Sequence, residues 1–276
     1  MREHRVALDG GATVTVEEAG EGPAILLMHA GVSERHMWDP LWVWLPYEFR
    51  VARWDWRGYG DTAHVPGPFS YADDVLRIMD TLGLERATLV GCSFAGAVGL
   101  QVTIEHHERV ERLVAIGTGV PGFEGENPPA VDAMLEGAEA AFARDDPAAA
   151  LALMEKAWLI GPRRNPEQVD AAYLARAREL LARADRPDNG AAFADSDWTA
   201  IGRLHEIRVP TLVVVGDEDV PAIRQACELV AREVAGAHLE TIAGAAHLPS
   251  LERPQALEAV LRAWLSATAR SIRPQT

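Results

Sequence analysis

The sequence contains little cysteine, a single lysine (Lys156), and no long apolar run. Its two cysteines, Cys92 and Cys227, are far apart, and each lies inside an apolar segment. This pattern argues against a disulfide framework and predicts a reducing, cytoplasmic location. The first residues lack the apolar core of a signal peptide, and no run approaches the ~20 residues that a membrane span needs. We therefore expect no membrane partner.

Positive charge is also scarce, since the formal net charge is −15 at pH 7. Nucleic acids and anionic membranes are bound through basic patches, so both are disfavoured as partners. The sequence has neither a His/Cys cluster at metal-ligand spacing nor a phosphate- or dinucleotide-binding glycine motif, and we expect no metal and no cofactor. A small molecule is the expected partner, with the protein acting as a monomer or a homodimer.

The 276 residues, 48% of them hydrophobic, suffice for one large core or for a core with a small second unit. Short apolar strands alternate with amphipathic helices in both halves of the chain, which predicts an α/β fold with a mostly parallel sheet and helices on both faces. Between the halves lies an Ala/Glu/Arg-rich stretch without strand signals, in which we predict helices over 130–144, 147–159 and 166–184. The predicted organisation is an α/β core in two parts, 1–120 and 199–276, around a helical cap, 121–198.

The most informative segment runs from Leu89 to Ala97, where an apolar strand passes through a sharp turn directly into a helix. The residue at the tip of such a corner has strained backbone geometry and an outward-pointing side chain. With Ser93 at the tip, the crowded positions hold only Gly91, Ala95 and Gly96. With Cys92 at the tip, a bulky valine would occupy one of them. We therefore predict Ser93 as a nucleophile and Cys92 as a packed small hydrophobe.

A serine nucleophile requires a base, and the base requires an orienting acid. His247 follows the last predicted strand, so it is expected at the carboxyl edge of the sheet, where Ser93 also lies. The candidate acids follow the preceding strand, in Gly216-Asp217-Glu218-Asp219. Asp219 is the first choice because it lies at the crest of the turn, and Asp217 is the alternative.

An oxyanion intermediate requires two hydrogen-bond donors. We predict the backbone N–H of Phe94, at the start of the helix after the nucleophile, and that of Gly31, in the loop after an early strand. His29 in the same loop is expected to be structural.

Aromatic and apolar residues near these positions predict a hydrophobic substrate pocket. The candidates are Trp38, Phe123, Trp158, Trp198 and Leu248. Arg163 and Arg164 in the cap could contact a carboxylate, although adjacent arginines are more typical of a solvated surface.

The ordered motifs make the chain resemble a capped α/β-hydrolase fold protein over roughly its full length. They are His29-Ala30-Gly31, Asp55-Trp56-Arg57-Gly58-Tyr59-Gly60, Gly91-Cys92-Ser93-Phe94-Ala95-Gly96, Gly216 to Asp219, and His247 with Pro249 and Glu252-Arg253-Pro254. The order Ser93, Asp219, His247 is that family's triad order. Ala30 and Ala95 replace its usual glycines. The resemblance implies an eight-stranded sheet with the first hairpin strand antiparallel, and a cap over the nucleophile.

These residues predict a serine hydrolase that cleaves a carboxylic ester or lactone of a small hydrophobic molecule. The serine argues against dehalogenase and epoxide hydrolase chemistry of the kind that, in similar proteins, uses an aspartate nucleophile. A C–C bond hydrolase, a biosynthetic cyclase or lyase, and a ligand-binding protein without turnover stay open as alternatives, because this fold hosts many chemistries.

Overall fold

The computed structural model describes residues 1–184 and 198–272, and within them one sheet of eight strands carries the fold. The order across the sheet is β1-β2-β4-β3-β5-β6-β7-β8. The strands are β1 (Arg2–Ala7), β2 (Thr13–Ala19), β3 (Ala24–Met28), β4 (Arg50–Trp54), β5 (Ala87–Cys92), β6 (Val110–Ile116), β7 (Thr211–Gly216) and β8 (His238–Ile242). The predicted α/β class and the mostly parallel, eight-stranded sheet are confirmed.

The direction of the first strand differs from the expectation. β2 pairs antiparallel with both β1 and β4, whereas the other neighbouring pairs are parallel. The strand that runs against the sheet is therefore the second strand of the hairpin. A hairpin reverses the chain, so its two strands run in opposite directions and only one of them can be antiparallel to the other six strands. That strand is β2, which pairs with β4.

Helices cover both faces of the sheet. In β3, Leu26 and Met28 belong to one buried cluster, and Ile25 and Leu27 belong to the other. This alternation follows from the two-residue period of a strand, and it shows that β3 is buried on both faces. The core helices are α1 (Asp39–Trp42), α2 (Tyr71–Thr81), α3 (Phe94–Glu105), α7 (Pro221–Glu233), α8 (Pro249–Glu252) and α9 (Pro254–Ile272).

In its described part, the chain between β6 and β7 forms helices joined by loops and contains no strand. It contains α4 (Pro129–Ala143), α5 (Pro147–Met154), a π-helix (Glu155–Ile160) and α6 (Ala171–Ala184). The predicted helix over 147–159 therefore changes to π-helix after Met154. The helix predicted from 166 begins only at Ala171, because the Asp170 carboxylate accepts a hydrogen bond from the Tyr173 N–H at 2.8 Å and caps the helix there.

The cap over 121–198 stays a prediction as a domain, and its residues 185–197 lie outside the described part of the chain, as do 273–276 of the second core part. In the described ranges, no helix has both the length and the apolar character needed to cross a bilayer.

The topology brings the candidate residues to one edge. Parallel strands present their carboxyl ends at the same side of a sheet, where α/β proteins bind ligands. Gly31 follows β3, Ser93 follows β5, Asp219 follows β7 and His247 follows β8.

Candidate functional site

Ser93 occupies a strained corner between β5 and α3. Its backbone has φ 61° and ψ −126°, a conformation that residues other than glycine rarely adopt. The corner is also crowded: a Cβ on Gly91 would collide with the Ala95 carbonyl, and one on Gly96 would lie 2.6 Å from Thr118 Oγ1. The small residues around Ser93 are thus a steric requirement of the turn.

Cys92 is fully buried beneath this corner. Burial raises the pKa of its thiol well above the usual value, and the nearby Asp219 acts in the same direction. The Sγ donates to the His247 carbonyl at 3.6 Å, so Cys92 packs against the loop that carries the histidine. A thiol held protonated in this way is a poor nucleophile, which supports the choice of Ser93.

His247 and Asp219 form a buried pair. The Nδ1 of His247 lies 2.9 Å from Asp219 Oδ2 and 3.0 Å from Oδ1, and each residue is 1% exposed. Because an ionised carboxylate only accepts, Nδ1 carries the proton and Nε2 keeps a free lone pair. Oδ1 of Asp219 also accepts from the Val220 N–H at 2.8 Å, which fixes the carboxylate.

The other acids of the same loop have different partners. Asp217 Oδ1 accepts from the Gly244 N–H at 2.6 Å, and Glu218 Oε2 lies 3.1 Å from Arg163. Of the two aspartates that the sequence leaves open, the structure pairs Asp219 with the histidine.

Ser93 and His247 are linked through Cys92 and not by a hydrogen bond between their own side chains. Among the described residues, the Ser93 hydroxyl makes no hydrogen bond, while the adjacent Cys92 contacts the backbone of His247. Catalytic hydrogen bonds are often long in a free enzyme and tighten when substrate binds.

The loop that carries Gly31 packs against the side chain of Phe94. A Cβ on Gly31 would be 3.4 Å from the Phe94 ring, so the loop after β3 approaches the start of α3 closely. Phe94 is the first residue of α3, and its N–H therefore has no acceptor within the helix. The neighbouring Ala30 N–H is already taken by Met37 Sδ at 3.2 Å.

His29 is structural, in line with its expected role. Its Nε2 accepts from the Trp56 N–H at 3.0 Å, so Nδ1 carries the proton and donates to the Ala30 carbonyl at 2.9 Å. Complete burial lowers the pKa of His29 and favours this neutral form.

The predicted pocket residues separate into distinct environments. The Trp158 ring lies 4.5 Å from the His247 ring, and Trp198 lines a cavity beside Phe94. Phe123 is partly buried against one core cluster. Trp38 and Leu248 have no exposed surface and pack in the other cluster, so in this conformation they offer no surface to a ligand. Their place in the pocket stays a prediction.

Tyr59 is a site neighbour that the sequence reasoning missed. Its hydroxyl lies 3.4 Å from the position that a Cβ on Gly31 would take, and its ring stacks on Phe94 with centroids 6.0 Å apart. Burial raises the pKa of Tyr59 to about 12, so its hydroxyl stays a donor at neutral pH. Its position within the Asp55–Gly60 loop motif was the available signal.

Two solved structures are similar to this chain over nearly its whole length. A hydrolase structure from Pseudomonas aeruginosa PA01 is 29% identical, with a TM-score of 0.77 over 96% of this chain and 98% of that one. A thermophilic esterase structure from Thermogutta terrifontis is 25% identical, with a TM-score of 0.78 over 97% and 99%.

A curated relative, fluoroacetate dehalogenase from Burkholderia sp., is 32% identical over 122 residues, which are 41% of this chain and 40% of that protein. This chain thus matches two fifths of that relative's length. The named relatives act on different bonds, so similarity alone leaves the reaction open.

The family model for the alpha/beta hydrolase fold matches residues 23–254, which include Ser93, Asp219 and His247. Together with the sheet order and the corner at Ser93, this match shows that the chain belongs to the alpha/beta hydrolase fold family.

Proposed function

We propose that this protein is a serine hydrolase that cleaves a carboxylic ester or lactone of a small hydrophobic molecule through an acyl-enzyme. The observation that carries the proposal is the buried His247–Asp219 pair at 2.9 Å, at the same sheet edge as the strained corner that presents Ser93. A nucleophile, a base and an orienting acid on separate loops are the parts that acyl transfer requires.

In the first half-reaction, Ser93 Oγ attacks the substrate carbonyl carbon while its proton passes to His247 Nε2. Asp219 holds the imidazole by Nδ1 and stabilises the imidazolium that forms. The tetrahedral intermediate collapses, the C–O bond to the alcohol breaks, and His247 returns the proton to the leaving oxygen. In the second half, water attacks the acyl-enzyme with His247 as base, and Ser93 recovers its proton as the acid departs.

The negative charge of each tetrahedral intermediate would be held by the N–H groups of Gly31 and Phe94. The packing of the Gly31 loop against the Phe94 ring supports this role, because it brings together the two segments that carry these donors. Fixed donors around a developing negative charge stabilise it. Losing one such donor typically costs about 10²–10³-fold in kcat.

A small apolar acyl group suits a cavity that is lined by Phe94, the residue after Ser93. A cavity of about 200 Å³ adjoins Phe94 and is lined mainly by apolar side chains, including Val98, Pro121 and Trp198. This volume lies below the ~300–1,000 Å³ of pockets for drug-sized ligands. We therefore expect short acyl chains to be preferred over long ones.

We also propose that residues 121–198 act as a cap over Ser93. The Trp158 ring, which comes from this stretch, packs on the His247 ring, and this contact supports a cap that closes the site from above the sheet edge.

The proposal is tested by exposing the native protein to a fluorophosphonate and measuring its intact mass. We expect one adduct on the wild type, none on Ser93→Ala, and one on the control Ser266→Ala, which removes an exposed serine of α9. Hydrolysis of p-nitrophenyl acetate, butyrate and octanoate then tests the chain-length preference. Absence of an adduct on the native wild type, or an adduct that persists in Ser93→Ala, would overturn the proposal.

A further inference from the structure

Residues 156–164, which we call the bridging segment, connect the predicted cap to both loops that carry the acid–base pair. The segment comprises most of the π-helix and the turn that follows it. Resting on the proposed function, we propose that Arg164 in this segment is a positioning residue, which holds the His247 loop so that the imidazole faces Ser93.

The first contact is made directly with the histidine. The His247 N–H donates to the Trp158 carbonyl at 3.2 Å, and the two rings pack with centroids 4.5 Å apart. The backbone and the ring of His247 are therefore both held by a residue of the bridging segment.

Arg164 makes the second set of contacts, from a position that is only 7% exposed. Its Nε donates to the Ile160 carbonyl at 2.6 Å, and its Nη1 donates to the Gly244 carbonyl at 3.0 Å. One guanidinium thus joins the end of the π-helix to the loop that begins three residues before His247.

Glu252 completes the connection from the other side. Its Oε1 lies 2.8 Å from Arg164 Nη1, and its Oε2 accepts from the Ala246 N–H at 2.7 Å. Glu252 is 5% exposed, so the pair is shielded from water. A planar guanidinium with fixed donors suits such a junction, because it holds a carboxylate and a carbonyl in one geometry.

The acid loop, residues 217–219, is also bound to the bridging segment, because Arg163 Nη2 donates to the Asp217 carbonyl at 2.6 Å. The acid loop contacts the His247 loop directly as well, since the Glu218 N–H donates to the Ala245 carbonyl at 2.9 Å. Gly161 has φ 91°, and a Cβ there would lie 2.5 Å from the Glu218 carbonyl oxygen. Only glycine fits where the segment passes over the acid loop.

Lys156, the single lysine of the chain, stabilises the turn that presents Arg164. Its Nζ donates to the carbonyls of Gly161 at 3.3 Å and Pro162 at 3.2 Å, and to that of Arg164. Arg164 therefore lies at the end of a turn that three hydrogen bonds from Lys156 hold in place. A positioning residue requires such support.

The test compares Arg164→Met and Arg164→Lys with Arg178→Met. Arg178 lies on α6 and pairs with Glu155 at 2.7 Å, so the control removes a cap arginine without touching either loop. We measure the fluorophosphonate labelling rate, and kcat and KM for p-nitrophenyl acetate. Because a misplacement of about 1 Å can cost 10²-fold, we expect Arg164→Met to lower the labelling rate and kcat by about 10–100-fold with little change in KM. Arg164→Lys should recover part of the loss, and Arg178→Met should stay within about twofold of the wild type.

A spectroscopic readout separates positioning from a general loss of stability. The downfield proton resonance of His247 Nδ1–H, assigned by its absence in His247→Gln, should broaden or shift in Arg164→Met and be unchanged in Arg178→Met. If Arg164→Met does not fold, Glu252→Gln keeps an acceptor for Ala246 and removes the charge that faces Arg164, and the same changes are expected there.

The outcomes distinguish this inference from the proposed function. If the wild type is not labelled, the proposed function fails. If the wild type is labelled and folded Arg164→Met is labelled at the same rate with an unchanged His247 resonance, only the inference about Arg164 is overturned. A rise in KM with unchanged kcat would assign Arg164 to substrate binding and would also overturn it.

Discussion

His247 Nδ1 lies 2.9 Å and 3.0 Å from the two carboxylate oxygens of Asp219, and the two residues are 28 positions apart in the chain. Asp219→Asn should lower kcat by about 10³–10⁴-fold, because an amide that donates to Nδ1 would favour the wrong imidazole tautomer. Asp217→Asn is the matched control. Its Oδ1 would still accept from Gly244, and kcat should stay within about threefold. Steady-state hydrolysis of p-nitrophenyl acetate measures both, and a greater loss in Asp217→Asn would contradict the pairing.

Gly91→Ala should lower the free energy of unfolding by about 1–3 kcal/mol or prevent folding, because the new Cβ would collide with the Ala95 carbonyl at the corner. Gly119→Ala is its control, since a Cβ there has no atom within 4 Å apart from its chain neighbours. Urea unfolding followed by circular dichroism gives both values. Equal stability of the two variants would show that the corner tolerates the added carbon.

Both thiols should be unreactive in the native protein. Cys92 and Cys227 are fully buried, and burial raises the pKa of each thiol. A chromogenic disulfide reagent should therefore titrate two thiols in denaturant and about none before unfolding. Rapid modification of a thiol in the folded wild type would contradict this burial and would reopen Cys92 as a nucleophile.

His36 should stabilise the fold mainly at acidic pH. The hydrogen bond to the buried Glu34 carboxylate raises the pKa of His36 above 6.5, although partial burial of the imidazole lowers it. The charge of Asp39 adds to the rise, and that of Arg35 opposes it. A raised pKa means that the folded state holds the proton more tightly. The contribution is therefore complete below about pH 6.5 and is lost as the pH rises through the folded-state value.

His36→Gln should consequently lower Tm more at pH 5.5 than at pH 9. For a pair worth about 0.5 kcal/mol, the difference is roughly 1–2 °C. Differential scanning fluorimetry at both pH values measures it. A penalty that grows with pH would reverse the assigned direction.

The positions of the candidate site residues along the chain are predictable because they follow local patterns. The sizes of the residues around one turn favour Ser93 over Cys92 as the nucleophile, and the structure gives Ser93 the strained φ of 61°. Gly31, Asp219 and His247 are expected at one edge because each follows a predicted strand, and parallel strands bring their carboxyl ends together.

The sequence does not distinguish aromatic residues of a pocket from those of the core, because both kinds of position favour hydrophobic side chains. Trp38 and Leu248 fill a core cluster, whereas the Trp158 ring reaches His247 from a π-helix that the periodicity did not indicate. Spacing along a helix gives the face on which a side chain lies, but it does not give what packs against that face.

Apolar periodicity and glycine requirements act over a few neighbouring positions, so the sequence alone is enough to predict the α/β class, the corner at Ser93 and the strand ends that carry the other candidate site residues. Three other features are visible only in the folded chain: Asp219, not Asp217, contacts His247; the second hairpin strand runs against the sheet; and Arg164 is buried against Glu252. Each of these depends on which distant loops and strands come to lie side by side, and that is decided by packing across the whole sheet rather than by any local pattern.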